Sequence, residues 1–120
     1  MRLRAARGAI RVASDDGETL LGSTAKLLAA MLERNGVDRE DLVSVLFTAT
    51  EDLRSAFPAE AARRMGLEAV PLMCAREIPV EGSMSSVVRV LMHFHSERSL
   101  EEVVHVYLDG AESLRDDAPA

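Results

Sequence analysis

The sequence predicts an α/β (α+β) domain in which a mixed sheet of about five strands packs with one long helix and short helices. Two observations predict this class. Short apolar or alternating segments recur along the chain in the manner of β-strands, and only one stretch repeats its leucines at helical spacing over several turns. The 120 residues suffice for one domain, and 48% hydrophobic with 28% charged residues is typical of a globular protein rather than a disordered one.

The first strand and the long helix are predicted in the first third of the chain. Leu3 to Val12 alternates small or apolar residues with arginines, which indicates a strand. The acidic segment that follows resembles a helix start, with Asp15 and Glu18 three positions apart. Asn35-Gly36 is typical of a left-handed helix stop. The residues between these signals that form one apolar stripe are Leu20, Leu21, Leu27, Leu28, Met31 and Leu32.

The rest of the chain predicts four more strands and a short helix. Leu42 to Ala49 is nearly all apolar, which is typical of a strand buried on both faces. Phe57 to Gly66 has proline near its start and glycine at its end, as short helices do. Val70 to Glu77 is bounded by Pro71 and Pro79, which predicts an edge or irregular strand. Ser86 to His95 and Val103 to Leu108 complete the set of strands.

These elements predict one domain over residues 1–115, followed by a frayed tail at 116–120. One long amphipathic helix covers only part of a sheet whose strands are apolar on both sides. A symmetric partner is the simplest cover for the remaining apolar surface, so we expect an oligomer.

Charge and composition exclude several classes of protein. A net charge of −6 argues against a general nucleic-acid binder. No apolar run approaches the ~18 residues that a membrane helix needs, and no secretory signal is visible at the N-terminus. The single cysteine, Cys74, cannot form an internal disulfide. We therefore expect a cytoplasmic protein with neither nucleic acid nor membrane as partner.

The basic residues are almost all arginine, because Lys26 is the only lysine among 14. Two explanations remain open: codon composition in a GC-rich genome, or a planar anion clamp that lysine makes less well. Arg89 lies in the middle of a predicted strand, with Val87 and Leu91 on the same face. A buried guanidinium there needs an anion, either an acidic side chain of the protein or a ligand; an exposed edge position is the third possibility.

Two further residues fit a site for a small anion. Arg7 is flanked by Ala6 and Gly8, which are small enough to let a ligand or another backbone approach closely. An ordinary surface arginine is the alternative. Tyr107 is the only tyrosine and lies inside a predicted strand, where its hydroxyl needs a partner in either the core or a site.

Patterns for other chemistry are weak or absent. Cys74 precedes Glu77 by three residues, but no histidine is tied to it by a motif, which argues against a cysteine nucleophile. His93, His95 and His105 lie on neighbouring predicted strands without a further metal-ligand pattern. No glycine-rich phosphate loop and no Gly-x-Ser-x-Gly element occurs. What remains is an arginine-rich, partly apolar site suited to a small organic anion.

Several segments occur in one order that matches a known family from Arg4 to Asp116. They are Arg7-Gly8-Ala9, Thr48-Ala49-Thr50-Glu51-Asp52-Leu53, Ala56-Phe57-Pro58-Ala59, Val70-Pro71-Leu72 with Cys74 and Glu77, Arg89-Val90, and His105-Val106-Tyr107-Leu108 with Leu114-Arg115. Together they resemble the monofunctional bacterial chorismate mutases of the trimeric, pseudo-α/β-barrel class, which are distinct from the all-helical chorismate mutases.

The resemblance implies a homotrimer whose three sheets pack into a barrel-like core, with an active site in each cleft between subunits. The implied reaction is the Claisen rearrangement of chorismate to prephenate, an isomerase step of the shikimate pathway toward aromatic amino acids, with no metal or cofactor. Such a concerted rearrangement needs no protein nucleophile, which agrees with the lack of a nucleophile motif.

The resemblance also implies a role for each matched residue. Arg89 would stabilise negative charge on the ether oxygen, and Arg7 and Tyr107 would hold carboxylate oxygens. Glu77 would accept from the ring hydroxyl, with Cys74 lining the site beside it and not acting as a nucleophile. The remaining substrate-binding positions are Phe57, Ala59, Arg63, Met73, Ala75, Arg76, Leu114 and Arg115.

Each cleft would be shared between two subunits. Two positions depart from the family pattern: Glu60, where some members carry a basic residue, and Met73, where some carry a small hydroxyl residue. The alternative function is a non-catalytic trimer that binds a small carboxylate in the same cleft. In the trimer that the resemblance implies, each cleft would take residues from two subunits. One subunit would supply Arg7, Arg89, Tyr107 and Arg115, and its neighbour would supply Phe57, Arg63, Cys74 and Glu77.

Overall fold

A five-stranded sheet with α1 on one face forms the framework of the protein, which a computed structural model describes over residues 1–117. The strand order is β3-β2-β4-β1-β5, in which β4 runs antiparallel to β1 and β2 while β5 and β3 lie parallel to their neighbours. The mixed five-stranded sheet and the edge position of β3 are therefore confirmed. The elements are β1 (Arg2–Arg11), α1 (Gly17–Arg34), β2 (Leu42–Ala49), α2 (Ala59–Arg64), β3 (Leu72–Arg76), β4 (Val87–Ser96), β5 (Val106–Leu108) and α3 (Leu114–Asp117).

The long helix begins and ends with local signals in the sequence. Asp16 caps α1 by accepting a hydrogen bond from the Thr19 N–H at 3.1 Å, and Gly36 follows the helix at φ +60°. The helix start predicted at this acidic segment is confirmed, with Asp16 as the capping residue. Asp15 instead accepts hydrogen bonds from the backbone N–H groups of residues 54 and 55, which lie between β2 and α2.

Side chains of alternating residues divide each strand between two faces. On β4, Val88 and Phe94 are buried beneath α1, whereas Arg89 and Leu91 point to the opposite face. Gly8 of β1 lets the helix come close, because a Cβ there would lie 2.5 Å from the Met31 Sδ. The apolar stripe of α1 thus packs directly on the central strands.

Three predicted elements are shorter than expected, and one of them is β3, which covers only Leu72–Arg76. β5 starts at Val106 rather than Val103, because the backbone N–H and carbonyl of Val104 form hydrogen bonds with the side chain of Asn35 instead of with a strand. Asn35 Nδ2 donates to the Val104 carbonyl at 2.9 Å, and its Oδ1 accepts from the Val104 N–H at 2.8 Å. α2 is confirmed, with Pro58 before its first residue, but covers only Ala59–Arg64.

The face of the sheet opposite α1 keeps apolar side chains in contact with solvent. Leu3, Met73 and Leu91 are examples. This agrees with the expectation that a single helix leaves apolar sheet surface uncovered, while the oligomer itself stays a prediction.

The last described element, α3, includes the first two residues of the segment expected to be a tail. Residues 118–120 of that segment lie outside the described residues. Among the residues that the structure describes, no helix has both the length and the apolar character needed to cross a membrane.

Candidate active site

The sheet register aligns five residues in one row across the face opposite α1. The register pairs run from Tyr107 to Ala9, on to Arg89, to Thr48 and finally to Ala75. Because directly paired residues project to the same face, Arg89 lies between a small alanine on one side and a hydroxyl on the other. The small Ala9 between Arg89 and Tyr107 is itself fully buried.

The neighbouring row brings a second arginine to the same face. Arg7 pairs with Leu91 on β4, two positions from Ala9 and Arg89 respectively. The two guanidinium groups therefore lie diagonally across one patch of the sheet. Together they place two cationic groups in a solvent-accessible cleft. Their planar guanidinium groups are suited to binding carboxylates.

This patch forms the floor of an open cleft of about 1020 Å³. The cleft brings together four of the predicted site residues. It also includes residues that the sequence analysis did not select, from β2, from β4 and from the loop before β4. Its lining residues are Arg7, Gly8, Arg11, Leu46, Thr48, Gly82, Ser83, Met84, Ser85, Arg89, Val90, Leu91, Tyr107 and Leu114.

Glu77 joins this cleft through its hydrogen bonds. Its Oε2 accepts from Arg89 Nε at 3.0 Å and from Thr48 Oγ1 at 2.8 Å. The Glu77 side chain is only 15% exposed, whereas that of Arg89 is 42% exposed. The internal salt bridge considered for Arg89 is therefore present, and the half-exposed guanidinium still lines the cleft and can contact an anion.

The position of Glu77 corrects the expected division of residues between subunits. Glu77 was assigned to the subunit facing Arg89, but the two side chains form an ion pair within one chain. The Glu77 N–H donates to the Ala49 carbonyl at 3.0 Å, which fixes the residue just past the end of β3. Glu77 therefore lies beside Arg89 within one chain.

His105 supports the backbone beneath Arg7. Its Nδ1 accepts a hydrogen bond from the Arg7 N–H at 3.0 Å, one position before the β1–β5 ladder begins. Burial, together with the positive charges of Arg7 and Arg115, lowers the pKa of His105 below its ordinary value of 6.5. The neutral ring that this pKa favours is the form able to accept at Nδ1.

A second group of predicted residues lies outside the cleft lining, around β3 and the loop after β2. Phe57, Cys74, Ala75 and Arg76 line a separate depression of about 430 Å³. Phe57 is 74% exposed there. The Arg76 Nη1 donates to two backbone carbonyls of the loop after β2, at 2.7 and 2.9 Å, so this guanidinium holds that loop.

The other predicted residues are distributed around these two groups. Arg63 is exposed on α2 and pairs with Glu60 at 3.2 Å. Met73 is exposed on β3, and Arg115 is exposed on α3. The prediction of Ala59 as an apolar wall is wrong for its side chain, which is 2% exposed and packs in the core.

The loop before β4 was missed because it has no sequence signal for a site, and His105 was considered only as a metal ligand and as part of a matching segment. Gly82 to Ser85 contains only small residues and one methionine, which is an ordinary loop composition. The link between His105 and Arg7 depends on the register of β5, which the sequence pattern does not determine. Thr48 lies within one of the matching segments, but nothing in its neighbours points to a hydrogen bond with Glu77.

Comparison with known proteins identifies the family. A sequence model described as chorismate mutase type I matches residues 3–118. A chorismate mutase AroH from Thermus thermophilus is 50% identical over 116 residues, which cover 96% of this chain and 95% of that protein. A second, from Bacillus subtilis strain 168, is 37% identical over 118 residues, covering 98% and 93%.

A solved structure gives the same result for the fold. The chorismate mutase from Clostridium thermocellum superposes with a TM-score of 0.90 at 43% sequence identity, covering 92% of this chain and 98% of that one. The matches extend over nearly the whole chain and agree with the resemblance noted in its motifs. The chain therefore belongs to the chorismate mutase type I family.

Proposed function

We propose that this chain converts chorismate to prephenate in the cleft lined by Arg7 and Arg89, as a step in aromatic amino acid biosynthesis. Membership of the chorismate mutase family supports the isomerase activity. The observation that carries the assignment to this cleft is the placement of two arginines and Tyr107 on one sheet face. The alternative of a non-catalytic carboxylate binder is not favoured by these relatives.

The reaction explains why a cleft of fixed cations is sufficient. A Claisen rearrangement breaks one C–O bond and forms one C–C bond in a single step, without proton transfer to the protein. The protein must hold the compact conformer of a flexible dianion and stabilise the negative charge that develops on the ether oxygen. A preorganised guanidinium in a partly enclosed cleft provides that stabilisation without reorganising during the reaction.

Arg89 is the residue proposed to face the ether oxygen. Its Nε is held by Glu77, which orients the guanidinium and leaves its terminal Nη groups for the substrate. Arg7, two positions before Ala9 on β1, and Tyr107, the partner of Ala9 on β5, are proposed to hold carboxylate oxygens. These roles follow the family pattern and are supported by the sheet register and the shared lining of the cleft.

Glu77 is proposed to accept a hydrogen bond from the ring hydroxyl of chorismate. The hydrogen bonds from Thr48 and Arg89 both go to Oε2, so Oε1 has no hydrogen-bond partner among the described residues. A carboxylate oxygen accepts only, which suits a hydroxyl donor. Cys74 would line the site near this hydroxyl without a nucleophilic role.

The complete site is proposed to form between subunits of a cytoplasmic homotrimer whose three sheets pack into a barrel-like core. Within one chain the cleft is open, and the predicted residues Phe57 and Cys74 lie in a separate depression. A neighbouring subunit that presented this depression to the cleft would supply the apolar wall and bring Arg63 to its mouth. The apolar side chains exposed on the open face, such as Leu91, support this packing.

The test is the loss of chorismate ultraviolet absorbance with purified protein in the presence of a metal chelator. We expect loss at a rate proportional to enzyme concentration, with prephenate as the product. A protein that leaves chorismate unchanged at high concentration, while binding it, would favour the carboxylate-binding alternative. Binding of a bicyclic transition-state mimic much more tightly than prephenate would independently indicate a catalyst.

A further inference from the structure

We infer that Asp52 is a positioning residue, which holds Ser86 in a left-handed backbone conformation and thereby fixes the loop and strand that carry the cleft. The inference rests on the assignment of the mutase reaction to this cleft. It concerns a residue outside the cleft lining, in the turn between β2 and α2.

The carboxylate of Asp52 makes two contacts with one residue. Oδ1 accepts from the Ser86 N–H at 3.3 Å, and Oδ2 accepts from the Ser86 Oγ at 2.9 Å. Each carboxylate oxygen thus takes one donor, so the side chain of Asp52 fixes both the backbone and the side chain of Ser86. Burial raises the pKa of Asp52, but hydrogen bonds from Thr50 and Ser86 outweigh burial and lower it, which favours the charged acceptor.

Ser86 has a conformation that L-residues seldom adopt. Its φ is +59°, one of two positive values among the non-glycine residues that the structure describes. Such a conformation is strained for a residue with a Cβ and persists where the surroundings enforce it. Here the carbonyl of Ser86 also accepts from the Val12 N–H at 2.7 Å, so Ser86 is held from two directions.

The next residue along the chain is held by the same turn. The Val87 N–H donates to Thr50 Oγ1 at 3.1 Å, and the Thr50 N–H donates to the Val87 carbonyl at 3.1 Å. The turn itself is closed by a bond from the Leu53 N–H to the Thr50 carbonyl at 3.0 Å. Asp52 lies inside this closed turn, so its carboxylate is presented to Ser86 by a fixed backbone.

The contacts between Asp52 and Ser86 fix a segment of the chain that lines the cleft. Arg89 is only three residues after Ser86 on β4, and Gly82 to Ser85 immediately before it line the cleft. The other end of the loop is tied down at Glu77 through its bond to Ala49. Loosening Asp52 would therefore free one end of the loop while the other stays attached.

The experiment compares three variants for kcat, KM and thermal stability. Asp52→Ala is expected to lower kcat by roughly 10- to 100-fold, because small misplacements of positioned groups have effects of that order. Adding Ser86→Gly to Asp52→Ala is expected to restore most of kcat, since glycine adopts a positive φ without the carboxylate. Asp38→Ala is the matched control, because Asp38 is exposed and makes no side-chain cap.

A second readout does not depend on catalysis. Hydrogen exchange at residues 82–87 should be faster in Asp52→Ala than in the wild type. In the double variant the exchange rate should return toward that of the wild type. If Asp52→Ala does not fold, Asp52→Asn keeps one oxygen for the Ser86 N–H and should show a smaller change in the same direction.

Two results would overturn the inference. One is wild-type kcat and wild-type exchange in Asp52→Ala. The other is a loss in Asp52→Ala that Ser86→Gly does not relieve, because the loss would then not act through the conformation of Ser86. Failure of the proposed function would be seen differently, as a wild-type protein that does not rearrange chorismate.

Discussion

At the scale of single residues, Thr48 is the neighbour that determines how Glu77 is presented. Its hydroxyl and Arg89 Nε both donate to Glu77 Oε2, so that the other oxygen, which has no partner among the described residues, is available for the proposed bond to the substrate. The hydroxyl of Thr48 therefore acts on the site through Glu77, even though no motif around it signals this role.

Replacing Thr48 by Val removes this donor while keeping the shape of the side chain. We expect Thr48→Val to lower kcat/KM by roughly 10-fold or more, because a hydrogen bond to a charged group contributes about 1.5–3 kcal/mol. Thr48→Ser keeps the hydroxyl and should remain close to wild type. Equal kinetics for the Val and Ser variants, measured by prephenate formation, would show that the hydroxyl does not position Glu77.

His105 gives a prediction for the dependence of stability on pH. Its pKa is lowered in the folded protein by burial and by Arg7 and Arg115, whereas in the unfolded chain it has the ordinary value of 6.5. The unfolded state therefore binds the proton first as the pH falls, and the free energy of unfolding decreases below about pH 6.5. Above that pH, both states have a neutral ring and the contribution is constant.

The measurement is the free energy of unfolding from about pH 7.5 to about pH 5.5 by denaturant titration. His105→Asn provides a non-titrating oxygen acceptor for the Arg7 N–H, and its stability should fall less over this range than that of wild type. His95→Asn, at an exposed position of β4, is the control. Parallel curves for wild type and His105→Asn would contradict the prediction.

At the scale of elements, the close packing of α1 on β1 depends on one glycine. A Cβ on Gly8 would lie 2.5 Å from Met31 Sδ and 3.1 Å from Leu27 Cδ1, both in the buried core. A Cβ on Gly22, in the same helix, would meet no atom within 4 Å. A side chain would therefore clash with the core at Gly8, whereas it would meet open space at Gly22.

Two Gly→Ala substitutions should therefore change stability in opposite directions. Gly8→Ala should destabilise the protein by about 1–3 kcal/mol through overpacking. Gly22→Ala should stabilise it by about 0.5–1 kcal/mol, because alanine favours an exposed helix interior. Denaturant unfolding checks both, and a Gly8→Ala variant as stable as wild type would show that α1 can move away at no cost.

Sequence patterns predicted the elements more fully than the contacts between them. The apolar run of β2 predicted that strand, and Asn35-Gly36 predicted the end of α1, because such signals act locally. The Asn35 side chain shortened β5 and the β5 register placed His105 under Arg7, and both depend on contacts between distant segments. For the same reason, the site residues could be named from the sequence, whereas the position of Glu77 beside Arg89 required the structure.

At the scale of the whole molecule, the proposed trimer makes each site depend on two chains. Arg89 and Glu77 lie together in one chain, whereas Arg63 is proposed to reach the cleft of a neighbouring subunit. This arrangement predicts complementation between inactive variants, because a mixed trimer can form a site from two intact halves.

Unfolding and refolding an equal mixture of Arg89→Ala and Arg63→Ala chains should restore about a quarter of the sites, the fraction in which both halves are wild type by chance. A mixture of Arg89→Ala and Glu77→Ala should restore none, because each chain lacks a group from the same half. Sedimentation should give a trimer of the 13.1 kDa chain. A monomer at micromolar concentration, or equal recovery in both mixtures, would contradict the shared site.

The fixed guanidinium of Arg89 is proposed to stabilise the charge that develops on the ether oxygen, and kcat of Arg89 variants measures this contribution. Removing one preorganised donor to a developing oxyanion typically costs ~2.7–4 kcal/mol, so Arg89→Ala should lower kcat by ~10²–10³-fold or more. Arg89→Lys should recover only part of the loss, because it keeps the charge without the planar fork. Arg2→Ala, on β1 and outside the cleft lining, should leave kcat unchanged. Retention of most of kcat by a folded Arg89→Ala enzyme would contradict the account.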